Sequence, residues 1–337
     1  MDISVFVCTR SQAISSLAIH LYNHLLHCVT VLHFLTGIVM NERLALGYGI
    51  AAVLLWSTVA TAFKITLDYF SPVQMMVVAS SVSALALVVI AGYKKTLHQL
   101  KSTFLQRPLY YLLLGFINPF AYYLVLFKAY DLLPASQAQP INYSWAITLT
   151  LMAALFLGQK IQRKDWIACV LGYGGVVVIA TQGNIAALNF TSPLGVALAL
   201  FSTLLWAGYW ILNTKNKADP ILGLLLGFLV SLPFSIGLSL YLGGWQSVPW
   251  QGWAAVTYVG LFEMGITFVL WLNALRLTRN TAKISNLIFI SPFISLLLLA
   301  TIIGETIHPS TLIGLMLIIA GLVIQQWQSK KARLLNN

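Results

Sequence analysis

From residue 44 onward the chain alternates apolar runs of about twenty residues with short polar connections. Ten such runs can be marked, roughly 45–66, 72–92, 108–127, 134–157, 165–182, 193–212, 221–242, 252–273, 282–303 and 309–327. A run of about twenty apolar residues crosses a bilayer as a helix, whereas a barrel strand needs about ten residues with alternating polarity. The pattern therefore predicts an all-α integral membrane protein with ten transmembrane helices. No connection is long enough to hold a water-soluble domain.

Composition agrees. Of the 337 residues, 59% are hydrophobic and 8% charged, against about 25% charged in a soluble domain. The net charge of +11 would suggest nucleic acid in a soluble protein, but here the basic residues punctuate apolar runs. Arg43, Lys94, Lys95, Lys101, Arg107, Lys160, Arg163, Lys164, Lys215, Lys217, Arg276, Arg279, Lys283, Lys330, Lys331 and Arg333 share one side of the ten-run pattern. Lys64 and Lys128 are the two on the other side. This asymmetry puts both ends of the ten-helix unit in the cytoplasm. The expectation is a multi-pass protein of the cytoplasmic (inner) membrane, with the lipid bilayer as partner and no nucleic acid. Cys8, Cys28 and Cys169 have no paired spacing, so neither disulfide framework nor thiolate metal site is expected.

Residues 1–39 stand outside the pattern. They carry four of the six histidines, and Met40-Asn41-Glu42-Arg43 then leads straight into the first run. Upstream sequence from a mis-assigned start is one reading; a metal-binding face of His20, His24 and His27 or an extra helix near 13–39 are others. The expectation is a leader with no metal site.

The two halves repeat each other. Leu54-Leu55-Trp56 in the first run matches Leu204-Leu205-Trp206 in the sixth, and Lys64 matches Lys215. Gly158-Gln159 closes the fourth run as Gly304-Glu305 closes the ninth, and 172–179 parallels 318–324. One five-helix unit therefore occurs twice. Five is odd, so the second copy is inverted in the membrane, an arrangement secondary transporters use around a midplane site. The implied domains are 40–182 and 192–328, joined by an extracytoplasmic linker at 183–191 and followed by a basic cytoplasmic tail at 329–337.

With paired five-helix units over 44–327, the chain resembles the EamA family of the drug/metabolite transporter superfamily. VLLWST (53–58), INYSWAITLTLMAALFLGQK (141–160) and LLWAGYWILNTK (204–215) are most similar to its aromatic amino acid exporter branch. The resemblance implies ten helices in two inverted EamA-type repeats and export of small metabolites. The family often has Glu after Gly at the end of the fourth helix, where this chain has Gln159.

Several residues are candidates for a substrate cavity between the halves. Glu263 lies in the middle of the eighth run, where a charge costs about 3 kcal/mol on insertion scales and usually serves a function. It is the candidate coupling residue, exchanging a proton with substrate or pairing with a substrate ammonium; a protonated carboxyl bonded to a neighbouring helix is the alternative. Trp206, Tyr209, Trp210 and Asn213 share one helix face. Trp206 and Tyr209 are deep enough to stack on a flat or cationic substrate, with Trp56 as the repeat counterpart of Trp206. Asn118-Pro119 with Tyr122 and Tyr123 beyond, Pro140, and Asn286 with Ser291-Pro292 mark helices whose freed carbonyls need a cavity or another helix. Gln139, Asn142, Tyr143, Ala146 and Thr150 form one stripe, either cavity wall or interhelical hydrogen bonding; the repeat places Asn142 near the level of Asn286 or Leu287.

No GxxxxGK[ST] occurs, so the chain holds no P-loop ATPase, and no catalytic constellation or cofactor motif is present. The chain reads as a non-enzymatic secondary transporter, an exporter of small molecules such as amino acids working by alternating access. A passive channel, or an exchanger of nucleosides, sugar derivatives or cationic drugs, are the alternatives. Monomer and homodimer are both compatible with the sequence.

Overall fold

The computed structural model describes residues 41–186, 190–279 and 281–326. The leader 1–39 and the tail 329–337 lie outside these residues. The described chain is all helical, in the order α1 Glu42–Leu67, α2 Pro72–Tyr93, α3 Pro108–Leu132, α4 Ala135–Leu157, α5 Arg163–Ala180, α6 Pro193–Asn213, α7 Pro220–Leu242, α8 Trp250–Leu277, α9 Lys283–Ile303 and α10 Pro309–Gln326. Among the described residues nine helices are long and apolar enough to cross a membrane. The 18-residue α5 falls outside that set because it opens on Arg163, Lys164 and Asp165.

Local chemistry explains the boundaries. Pro72, Pro108, Pro193, Pro220 and Pro309 each begin a helix, where the missing N–H is not needed and φ is already set. The Oδ1 of Asn41 accepts from the N–H groups of Arg43 and Leu44 at the start of α1. Ser71 with Gln74 forms a capping box at α2, and the side chains of Ser192 and Asp219 cap α6 and α7. Gly158 and Gly304 end α4 and α9 in the same left-handed conformation, φ +66° and +76°.

The strongest helix pairings are α5 with α10, α2 with α7, α1 with α8, α3 with α6, α4 with α6, α1 with α9, α3 with α7, and α2 with α8. Advancing each helix by five positions, cyclically, returns the same set. Glycines carry that symmetry to individual contacts. A Cβ on Gly115 of α3 would lie 2.8 Å from the Gly227 carbonyl oxygen and 2.7 Å from Val230 Cβ of α7. A Cβ on Gly260 of α8 would lie 2.7 Å from the Ala79 oxygen and 2.7 Å from Val82 Cβ of α2. Ala79 and Val82 precede Gly227 and Val230 by the same 148 positions. On α5 and α10, Gly175 meets Gly314 and Ala168 meets Gly321. As one helix of that pair ascends the other descends, so they are antiparallel. Small residues let backbones touch where lipid gives no hydrophobic drive between helices.

Four helices expected to be continuous are interrupted. In α3 a π turn spans Phe116–Ala121, and Asn118 has extended φ/ψ of −143° and 121°. In α8 the helix stops at Phe262 and restarts at Ile266, with the hydroxyl of Thr267 bonded to the freed carbonyl of Phe262. α4 breaks at Ser144, between Tyr143 and Trp145. α9 passes through a 3-10 turn, Asn286–Ile290, ahead of Ser291-Pro292.

Candidate functional site

The breaks in α3 and α8 define the middle of the bundle. Asn118 and Glu263 each lie three residues beyond the tight glycine of their helix, Gly115 and Gly260. Tyr123 of α3, 1% exposed, donates its hydroxyl to Glu263 Oε1 at 3.3 Å. Glu263 is partly buried, and among the described residues it forms no salt bridge with a Lys or Arg, its side-chain partner being the Tyr123 hydroxyl. Burying an unpaired charge is costly, which favours either protonation or a bound cation.

Beside it, Tyr122 donates to Asn142 Oδ1 at 3.5 Å, and Asn142 Nδ2 donates to Ser202 Oγ of α6 at 2.9 Å. Aromatic rings surround these groups. Trp206 packs on Tyr122 (4.6 Å between centroids) and lies nearly parallel to Tyr209 (5.7 Å, 28°). Phe268 of α8 joins Trp206 to Trp56, at 6.2 and 5.4 Å. A cleft of about 10 Å³, room for roughly one water, is lined by Asn118, Tyr123, Tyr209, Met264 and Phe268 among others. The Oδ1 of Asn118 is buried with no hydrogen-bond partner.

Hydrogen bonds tie helices together at both ends of the bundle. At one end Glu305, just past α9, accepts from the backbone N–H groups of Ala135 (3.2 Å) and Ser136 (2.9 Å) at the start of α4. Lys64 of α1 donates to the carbonyls of Tyr130 (3.0 Å) and Leu133 (3.3 Å) at the end of α3. An anion at a helix N-terminus and a cation at a C-terminus both complement the helix dipole. At the other end the Tyr110 hydroxyl donates to the Leu212 carbonyl (3.0 Å), joining α3 to α6. There Glu42 of α1 accepts from the Thr278 hydroxyl (2.9 Å) and the Arg279 N–H (2.6 Å), just past α8.

Of the residues singled out from sequence, Trp56, Asn118, Tyr122, Asn142, Tyr143, Trp206, Tyr209 and Glu263 come together around this centre. Gln139 is buried on α4 with its Oε1 unpartnered, between this centre and the Glu305 contact. Asn286 is exposed on the 3-10 turn early in α9. The α4 stripe is interrupted at Ser144, and beyond that residue Thr150 Oγ1 accepts from Gln325 of α10 at 2.5 Å. Sequence reading passed over Ser202, Phe268 and the contacts of Lys64 and Glu305. Tyr123 was visible only as the neighbour of Tyr122.

The sequence pattern of the EamA-like transporter family matches residues 43–181 and again residues 193–325. The chain belongs to the EamA-like transporter family. Transporter YvbV of Bacillus subtilis (strain 168), itself uncharacterized, is 22% identical over 282 residues, covering 82% of this chain and 90% of its own. The aromatic amino acid exporter YddG of Ancylobacter novellus is 23% identical over 266 residues, covering 77% of this chain and 89% of its own. A solved crystal structure with 21% identity superposes with a TM-score of 0.61 over 84% of this chain and 96% of that one, so the two share a fold. The protein is a multi-pass membrane protein of a transporter family, and its EamA match falls on both repeats.

Proposed function

We propose that this protein is a proton-coupled exporter of small amine-bearing metabolites, amino acids among them, across the cytoplasmic membrane. In this reading α5 is the tenth span, because its three charges sit in its first turn, where the cytoplasmic interface accommodates them. Both ends of the ten-helix unit then lie in the cytoplasm, and Lys64 and Glu305 close the outer end. Two inverted halves rock against each other about the central cleft, exposing it to one side at a time. The exchange-invariant helix pairings and the antiparallel contact of α5 with α10 support inverted halves.

One observation carries the coupling: Glu263 is the single acidic side chain at a mid-helix break among the described residues, and a tyrosine hydroxyl is its hydrogen-bond partner. Facing out, it takes a proton. Facing in, a substrate ammonium replaces that proton, and the neutralised pair crosses. The aromatic walls suit an apolar or aromatic substrate body, with cation–π attraction available to the amine. An anionic substrate would find no Lys or Arg at the cleft.

A competition screen in proteoliposomes tests the reading, across amino acids, nucleosides and cationic drugs. Saturable flux, driven by a pH gradient and inhibited by aromatic amines, is expected. Non-saturating flux indifferent to the gradient would make the protein a passive channel instead.

A further inference from the structure

We infer that Asn118 and Glu263 are the two repeat-related halves of one amine-binding site. Glu263 supplies its charge and Asn118 a neutral acceptor, and the asparagine limits the site to ligands with a single positive charge. This deepens the proposed function and rests on its assignment of Glu263.

Equivalence of the two positions follows from contacts. Gly115 crosses α7 at Gly227 and Val230 as Gly260 crosses α2 at Ala79 and Val82, with almost the same clearances. Counting three residues onward reaches Asn118 in one half and Glu263 in the other. Each stands where its helix loses regular geometry, so each break carries a polar side chain at the equivalent position of its repeat. Five residues further come Tyr123 and Phe268, and both line the same cleft as Asn118. Tyr123 is also the hydroxyl on Glu263.

The chemistry is asymmetric where the geometry is symmetric. Glu263 already has a donor, whereas the Asn118 Oδ1, in a residue 7% exposed, has none. A buried acceptor without a partner is costly to leave so. A primary ammonium has three N–H donors and, with the cleft widened, can satisfy the carboxylate and this oxygen together. With one carboxylate and one amide, a single positive charge is balanced. A second carboxylate at position 118 would instead match two.

The test uses full-length purified protein, with phenethylamine and 1,5-diaminopentane as probes and tryptophan fluorescence plus thermal shift as readouts. Wild type is expected to bind phenethylamine, and Glu263→Gln to weaken it by about tenfold or more. Moving the carboxylate across the pseudo-symmetry, in Asn118→Glu with Glu263→Gln, is expected to restore affinity to within about threefold of wild type. Asn118→Asp alone is expected to raise the preference for the diamine over the monoamine about tenfold. A folded double variant as weak as Glu263→Gln overturns the pairing and leaves the role of Glu263 standing. If the double variant does not fold, an unchanged diamine preference in Asn118→Asp overturns the pairing by itself. Full binding by Glu263→Gln, or none by wild type, overturns the functional reading beneath it.

Discussion

Removing the charge from Glu305 should loosen the end of the bundle that the proposed orientation places outside, by a calculable amount. The carboxylate receives two backbone N–H bonds, at 2.9 and 3.2 Å, from the first turn of α4. Glu305→Gln keeps the size but leaves one acceptor oxygen and no charge. Hydrogen bonds to a charged group contribute about 1.5–3 kcal/mol against about 0.5–1.5 for neutral ones, and the dipole interaction adds about 0.3–1 kcal/mol. Because Glu305 is only partly buried, the net loss is about 1.5–2 kcal/mol. That corresponds to a roughly 10- to 30-fold larger fraction of molecules open at that end. The reporter is Gln139→Cys in a background where Cys8, Cys28 and Cys169 are replaced by serine. Gln139 is 5% exposed and its Oε1 has no partner to lose. A membrane-impermeant maleimide added outside intact cells should label this position about 10- to 30-fold faster in Glu305→Gln than in its parent. Equal rates would refute the latch, and labelling only from the cytoplasmic side would refute the orientation.

Other expectations follow from packing. Gly115→Ala and Gly260→Ala each force a Cβ to within 2.8 Å of a backbone oxygen; each should cost about 1–3 kcal/mol and lower the melting temperature by similar amounts. Gly47→Ala on α1, with nothing within 4 Å of the new Cβ, should be neutral or stabilising by up to about 1 kcal/mol in the same assay. Ser202→Ala removes the 2.9 Å partner of Asn142, and should weaken substrate binding by about 1 kcal/mol without changing the melting temperature by more than a few degrees. Trp206→Ala should raise the apparent KM for an aromatic substrate more than tenfold while Trp206→Phe holds it near wild type, since stacking contributes about 0.5–1.5 kcal/mol beyond area burial; equal KM values in both would remove Trp206 from the cavity.

Much of this arrangement is legible in the chain itself. Pro72, Pro108, Pro193, Pro220 and Pro309 mark helix starts, and Gly158 and Gly304 mark ends, because only certain residues suit those positions. Glu263 stands out because its charge is expensive in an apolar run. The interruption in α8 was not legible: no proline announces it, and its one local cue is Gly265 with φ −115° and ψ −92°. The partnership of Tyr123 with Glu263 joins residues 140 positions apart, beyond the reach of local pattern. The register of Gly115 with Gly260 puts Leu287 opposite Asn142 and that of Gly158 with Gly304 puts Ile288 there, and each single-residue step turns a side chain about 100° around the helix. Lys64 and Glu305 read as end-of-span charges, and their roles appear only once α3 and α4 are brought beside them.

Gradient-driven transport by Glu263→Gln tests the coupling most directly. In proteoliposomes with an imposed pH gradient, wild type should accumulate phenethylamine against its own gradient, while the variant should show no accumulation and no coupled proton movement. Accumulation by Glu263→Gln equal to wild type would contradict a coupling role for the carboxylate.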